Sequence, residues 1–174
     1  MSRKCRPSLL WLIQLVLRFL PSTRLYLLKR NLFWMSGVDI HPTARLCSSV
    51  SIVTCGHLGI GAETFVGHEV LIAGGDSSIS VGSFCDIAPR VIIVSGSHDI
   101  VRAGPRAAGA GNSRPITIED GVWIGAGTIV LGGVRIGQHS VIGAGSVVVC
   151  DIPPYCVALG SPCRVTRQLT EPIL

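Results

Sequence analysis

The chain has 174 residues, 48% of them apolar and only 14% charged, which excludes a disordered segment and leaves room for one domain of ordinary size. Aromatic residues reach only 5% while glycine occurs 21 times, a balance that argues against a bundle packed around large rings and for frequent tight turns. The formal charge is +5, and nothing in its distribution pairs basic with aromatic residues as a nucleic-acid groove requires, so no nucleic-acid partner is expected.

The excess charge belongs to the first segment. Residues 1–36 hold Arg3, Lys4, Arg6, Arg18, Arg24, Lys29 and Arg30 and no acidic residue, whereas the rest of the chain is nearly balanced. Such a segment suits an anionic surface. Residues 9–20 (LLWLIQLVLRFL) form an apolar run after this basic start. Gln14 and Arg18 interrupt the run, no small-x-small cleavage site follows it, and it is too short to span a bilayer. Two readings remain: a helix that caps one end of a repeat array, or an interfacial helix that associates peripherally with the inner membrane face.

From residue 40 onward a period of six dominates. Apolar residues fall at Ile40, Leu46 and Ile52, then Ile60, Val66 and Ile72, then Val81, Ile87 and Ile93, and again from Ile118 through Ile124, Val130, Ile136, Ile142 and Val148. A small or β-branched residue precedes many of them by two, as at Val122, Thr128, Val134, Ser140 and Ser146. Helices repeat apolar positions at three and four, and strands alternate at two. A sustained six describes short flat strands separated by turns, three per coil, with the lead residues stacked into interior ladders. About five coils are expected, at 40–57, 60–77, 81–98, 118–135 and 136–153, stacking to roughly 24 Å at strand spacing. The phase slips near Leu58 and at 74–79, where short insertions bulge outward.

Residues 99–115 (DIVRAGPRAAGAGNSRP) have no repeat phase and read as an extended loop; a loop of this length in a compact array usually carries function. After the last coil, 158–169 read as a short capping strand and a helical tail. The seven cysteines are odd in number and contain no CxxC, so they read as reduced thiols of a cytoplasmic protein.

The coils, SGSHDI (95–100), the loop, PITIEDGVWIGAGTIVLGGVRIGQHSVIGAGSVV (115–148) and GSPCRVTR (160–167) together resemble the hexapeptide-repeat acyltransferase family. The likeness covers roughly 36–169, and it is to the maltose and galactoside O-acetyltransferases and the polysaccharide O-acetyltransferases in particular. It implies an all-β fold, a left-handed parallel β-helix, assembled as a homotrimer with active sites in the clefts between subunits. The expected division is a helical segment at 1–36, the β-helix at 37–157 with its loop at 99–115, and a cap or tail at 158–174.

The chemistry follows the same order. An alcohol is almost wholly protonated at neutral pH, so its attack on a thioester needs a base within hydrogen-bond reach, and imidazole suits that task. The resemblance implies that His98 is this base; either Asp99 or a backbone carbonyl would orient its ring. It further implies acetyl-CoA, or another acyl-CoA, as co-substrate, touched by Ala126, Ala144, Val149 and Cys150. Val149 departs from the threonine common in the family. Trp123 matches the tryptophan that lines the acyl or pantetheine cleft, and Arg164 and Arg167 match arginines near the nucleotide. Three apart on a tail helix, these two would share a face. Packing and solvation are the competing accounts of all three. Asp76 and His68 fall near acceptor-binding positions, with a sugar as the acceptor; Arg102, Arg106 and Arg114 are solvated loop charges or grips for an anion. No metal is expected, because His57, His68 and His98 lack the close spacing of a zinc-binding set. The activity expected is O-acylation of a sugar hydroxyl in a surface polysaccharide or its precursor. N-acetylation of an amino sugar and a non-catalytic structural solenoid are the alternatives.

Overall fold

A computed structural model describes residues 4–170; Arg3 and the outer ends of the segments expected at 1–36 and 158–174 lie outside the described residues. Two helices, α1 (Pro7–Leu17) and α2 (Tyr26–Met35), precede a coil of short strands that pair almost entirely in parallel. The chain visits three sheets in turn. The first contains Asp39–Ile40, Leu58–Ile60, Ile79–Val81, Ile116–Ile118 and Arg135–Ile136. The second runs from Arg45–Leu46 through Phe65–Val66, Asp86–Ile87, Trp123–Ile124 and Val141–Ile142 to Cys156–Leu159, and the third from Ser51–Val53 through Leu71–Ala73, Ile92–Val94 and Ile129–Leu131 to Val147–Val148.

The register shows why the period is six. Ile40, Ile60, Val81, Ile118 and Ile136 stand opposite one another in the first sheet. Leu46, Val66, Ile87, Ile124 and Ile142 do so in the second, and Ile52, Ile72, Ile93, Val130 and Val148 in the third. All are buried. The small residues two before them fill the inner corners. Their hydroxyls satisfy carbonyls there: Thr128 Oγ1 donates to Gly143 O at 3.1 Å and Ser140 Oγ to Pro153 O at 2.7 Å. Glycine has two separate uses. Gly125 is needed for close stacking, since a Cβ there would lie 2.5 Å from Ala144 N, whereas Gly127 has φ +69° and supplies the left-handed corner.

The insertions gather on one edge of the prism, where the third sheet hands the chain back to the first. Residues 54–57 and 74–78 lie there. So does the segment expected to be a loop, which instead forms an antiparallel two-stranded arm, Gly96–Ile100 against Ala108–Ser113. The expected tail helix is also replaced: Arg164–Gln168 is a strand, antiparallel to Cys156–Leu159, and it closes the far end of the second sheet. Pairing with an available edge strand has overridden the local preference.

At the opposite end the helices seal the first strands. α1 buries Leu10, Ile13 and Leu17, and the Gln14 side-chain amide pairs with Ile52 as a neighbouring strand would. Its Oε1 accepts from Ile52 N at 2.8 Å and its Nε2 donates to Ile52 O at 3.1 Å. Lys29 on α2 is buried, and its Nζ donates to the carbonyls of Pro21 and Ser22 at 3.2 and 2.6 Å while lying over the Tyr26 ring. Burial lowers its pKa. The helices thus act as the cap that one sequence reading expected. Five of the seven cysteines (Cys5, Cys47, Cys85, Cys156 and Cys163) are buried and all seven are free.

Ile124→Ala is expected to lower unfolding free energy by about 2–5 kcal/mol in urea titrations, since the ladder cannot close around the lost methyls. Destabilisation under about 1 kcal/mol, the usual scale of surface substitutions, would contradict the ladder account.

Candidate active site

His98 lies in the first arm strand, opposite Gly111, with its side chain in solvent rather than inside the prism. Its Nδ1 is 3.0 Å from Gly109 O. A carbonyl oxygen can only accept, so in the neutral ring Nδ1 carries the proton and Nε2 keeps its lone pair. Of the two ring orienters open to the sequence, the structure uses the backbone carbonyl. Asp99 is engaged elsewhere, its Oδ1 accepting from Asn112 Nδ2 across the arm.

Asp76 lies at the root of the arm. Ser113 Oγ donates to its Oδ1 at 2.7 Å, and Ser113 stands opposite Gly96 in the arm register. That hydrogen bond first, then the backbone N–H of Asp76 and the charge of Lys4, hold its carboxyl below the ordinary carboxylate range; partial desolvation opposes them. The root is tightly built, since a Cβ on Gly75 would come within 2.9 Å of Ser113 Oγ.

The remaining expected residues fall into two further groups. Val149 and Cys150 are exposed on the same prism edge as the arm, beyond Gly132 and Gly133. Arg164 joins them: its Nη1 donates to Cys163 O at 2.8 Å and lies 3.9 Å from Cys150 Sγ. His68, Ala126 and Ala144 occupy a different edge, between the second and third sheets. There His68 and Ala126 line one open hollow with Arg90. Ala126 O accepts from Gly145 N at 2.8 Å, so Ala126 and Ala144 sit on adjacent turns; a Cβ on Gly127 or Gly145 would touch nothing within 4 Å, leaving this edge bare. Trp123 is 55% exposed on the outer face of the second sheet, where the register runs Trp123, Val141, Val157, Arg167. Arg164 and Arg167 therefore extend from a strand, not from one side of a helix. Within one protomer the arm edge, with His98 and Asp76, and the edge that holds His68 and Ala126 are not brought together.

Arg102 and Arg106 are exposed at the arm tip, and Arg114 runs past Gly133, where a Cβ would lie 3.3 Å from its Cδ. Among the described residues no three His, Cys, Asp or Glu side chains converge as a metal site would require. Gly109, Asn112 and Ser113 were not singled out from the sequence. The one signal for the hairpin that holds them is Gly104-Pro105, a turn dipeptide between two polar stretches.

Residues 115–150 match the family described as bacterial transferase hexapeptide (six repeats). The galactoside O-acetyltransferase of Lactococcus lactis is 47% identical over 96 residues, covering 55% of this chain and 46% of that protein. Among solved structures, a hexapeptide-repeat acetyltransferase from Vibrio cholerae complexed with acetyl coenzyme A superimposes with a TM-score of 0.69 at 25% identity, over 95% of this chain and 87% of that one. The polySia-specific acetyltransferase NeuO gives 0.64 at 27% identity, over 75% and 61%. The chain spans about half the length of the curated relatives it matches, 46% for the Lactococcus protein. Repeat and fold together define a hexapeptide-repeat solenoid. Within that class the chain is similar to the hexapeptide-repeat acyltransferases, and galactoside O-acetyltransferases are among its relatives.

Replacing Ser113 by Ala is expected to raise the Asp76 carboxyl pKa toward the ordinary carboxylate value. The contact favours the ionised form, so its contribution is present above the ordinary pKa and fades as pH falls through the depressed one. Carboxyl carbon shifts followed by NMR against pH would measure this; an unmoved midpoint would remove Ser113 as the cause.

Proposed function

We propose that the chain is an acyl-CoA-dependent O-acyltransferase, with acetyl-CoA the expected donor, acting on a sugar hydroxyl of a surface polysaccharide or its precursor. The observation that carries the reading is the His98 ring, exposed on the arm with Nδ1 tied to Gly109 O and Nε2 left as the base. The acceptor hydroxyl gives its proton to Nε2 as its oxygen attacks the thioester carbonyl. The tetrahedral adduct then collapses, the C–S bond breaks, and the imidazolium returns the proton to the departing thiolate. The products are the sugar ester and free CoA, and no acyl-enzyme is needed.

Acyl-CoA would be held by this chain's own residues along the bare edge at Ala126 and Ala144, beside Trp123. Val149 and Cys150 would meet it near the arm, and Arg164 and Arg167 would face its phosphates. Asp76 and His68 are assigned to the acceptor. These groups lie on different prism edges, so the reading requires a second copy to join them. The family's homotrimer of left-handed coils, with clefts between subunits and 37–157 as the catalytic domain, supplies one. The arm supports such a partner: its strand Gly96–Ile100 is exposed throughout, Ile100 at 86%, and an isolated two-stranded ribbon is marginal in water. Reduced cysteines agree with work in the cytoplasm. The relatives named for galactoside and polySia acetylation support a saccharide acceptor.

With acetyl-CoA and a panel of saccharides, turnover read by thiol release is expected to fall about 10²- to 10⁴-fold in His98→Ala while CoA binding persists. Equal turnover in both proteins would eliminate His98 as the base. Arg164→Ala is expected to raise the KM for acyl-CoA more than it lowers kcat, as loss of a contact made equally in the ground and transition states does. An unchanged KM would place Arg164 off the donor path.

A further inference from the structure

The outward side of the N-terminal helices has no role in the reaction just described. α1 turns Leu10, Ile13 and Leu17 toward the coil, and an ordinary surface helix would carry polar residues opposite them. Instead the opposite side presents Trp11, Leu12, Leu15 and Val16, continued by Phe19 just past the helix end. All are exposed, Phe19 at 84% and Trp11 at 67%. α2 repeats the pattern with Leu27, Leu28 and Met35 exposed opposite buried Lys29 and Phe33. α1 rests on Ser51–Val53 and α2 on Asp39–Ile40 and Arg45–Leu46, the terminal strands of all three sheets. Both apolar sides therefore face away from the coil at one end of the prism. The helical segment exposes Lys4, Arg6, Arg18 and Arg24, and residues 1–36 contain no acid. Lys4 lies near Asp76, and in the strands beneath the helices exposed Arg45 balances exposed Asp39, so Arg6, Arg18 and Arg24 carry the excess charge.

We propose that this end of the prism docks on an anionic lipid bilayer, with the apolar side chains entering the headgroup–acyl boundary and the arginines remaining among the lipid phosphates. Charge decides the occupant. A second copy joined face to face would set the same cations against themselves, which costs binding, whereas an anionic leaflet complements them. No helix among the described residues is long and apolar enough to cross a membrane, so the helices would lie in the interface plane. The inference stands on the helices alone and is independent of the acyltransferase reading.

Co-sedimentation of the full chain with phosphatidylcholine vesicles, with and without phosphatidylglycerol, tests it without any activity assay. Binding is expected to be at least about tenfold stronger with the anionic lipid and to weaken as salt is added. Leu15→Glu with Phe19→Glu should abolish it. Arg18→Glu with Arg24→Glu, which alters only exposed polar sites, should lower anionic-vesicle binding about tenfold with the fold intact by circular dichroism. The proposal is overturned by equal partition into neutral and anionic vesicles, by no partition at all, or by binding that survives both double substitutions. It is equally overturned if Leu15→Glu with Phe19→Glu changes only the assembly size, which would make another copy the occupant.

Discussion

Strands of two or three residues cannot hold themselves in place, because each forms too few bonds to repay the ordering of its own backbone. Cohesion in this chain comes from stacking: each interior Ile, Val or Leu contacts its counterparts one turn above and below, and main-chain bonds run between turns rather than within them. The other features of the molecule depend on that contact. It requires flat strands and sharp corners, hence residues at positive φ such as Gly127, and it requires adjacent turns to approach closely, hence Gly125. Inner corners take Ser, Thr or Cys as well as Val, and the polar atoms among them cap carbonyls of the next turn.

A scaffold this regular offers few places for variation. Its interior tolerates no insertion without breaking all three ladders, so extra residues leave at an edge. In this chain they leave at the same edge, and the longest of them builds the arm that carries His98. The imidazole is thus held away from the body by a ribbon with little packing of its own, positioned by the Gly109 carbonyl and rooted through Ser113 to Asp76. A ribbon of this kind keeps a defined shape when something rests against it.

The lead residues of the ladders were legible in the sequence because burial recurs at fixed spacing and each position reports its own environment. The arm was less so. Both of its faces meet solvent, so no alternation marks its strands, and Gly104-Pro105 is the sole trace of its turn. The tail misled for a related reason: the three-residue spacing of Arg164 and Arg167 fits a helix locally, but the open edge of the strand Cys156–Leu159 recruited it. His98 could be singled out by its residue type and motif. Its orienting partner could not, since a backbone carbonyl leaves no mark on the sequence. Nor did the sequence choose between the two readings of the N-terminal segment. Gln14, read as an interruption in an apolar run, is the residue that fastens the helix to the coil.

That fastening bears on solubility. A stack of identical rungs has no intrinsic reason to stop, and a bare terminal ladder is a template onto which another molecule could add end to end, giving a fibre. One glutamine side chain occupies the donor and acceptor of Ile52 that an incoming strand of the third sheet would need, and the antiparallel strand Arg164–Gln168 covers the opposite end of the second sheet. A chain lacking residue 14's amide would lose a barrier to polymerising.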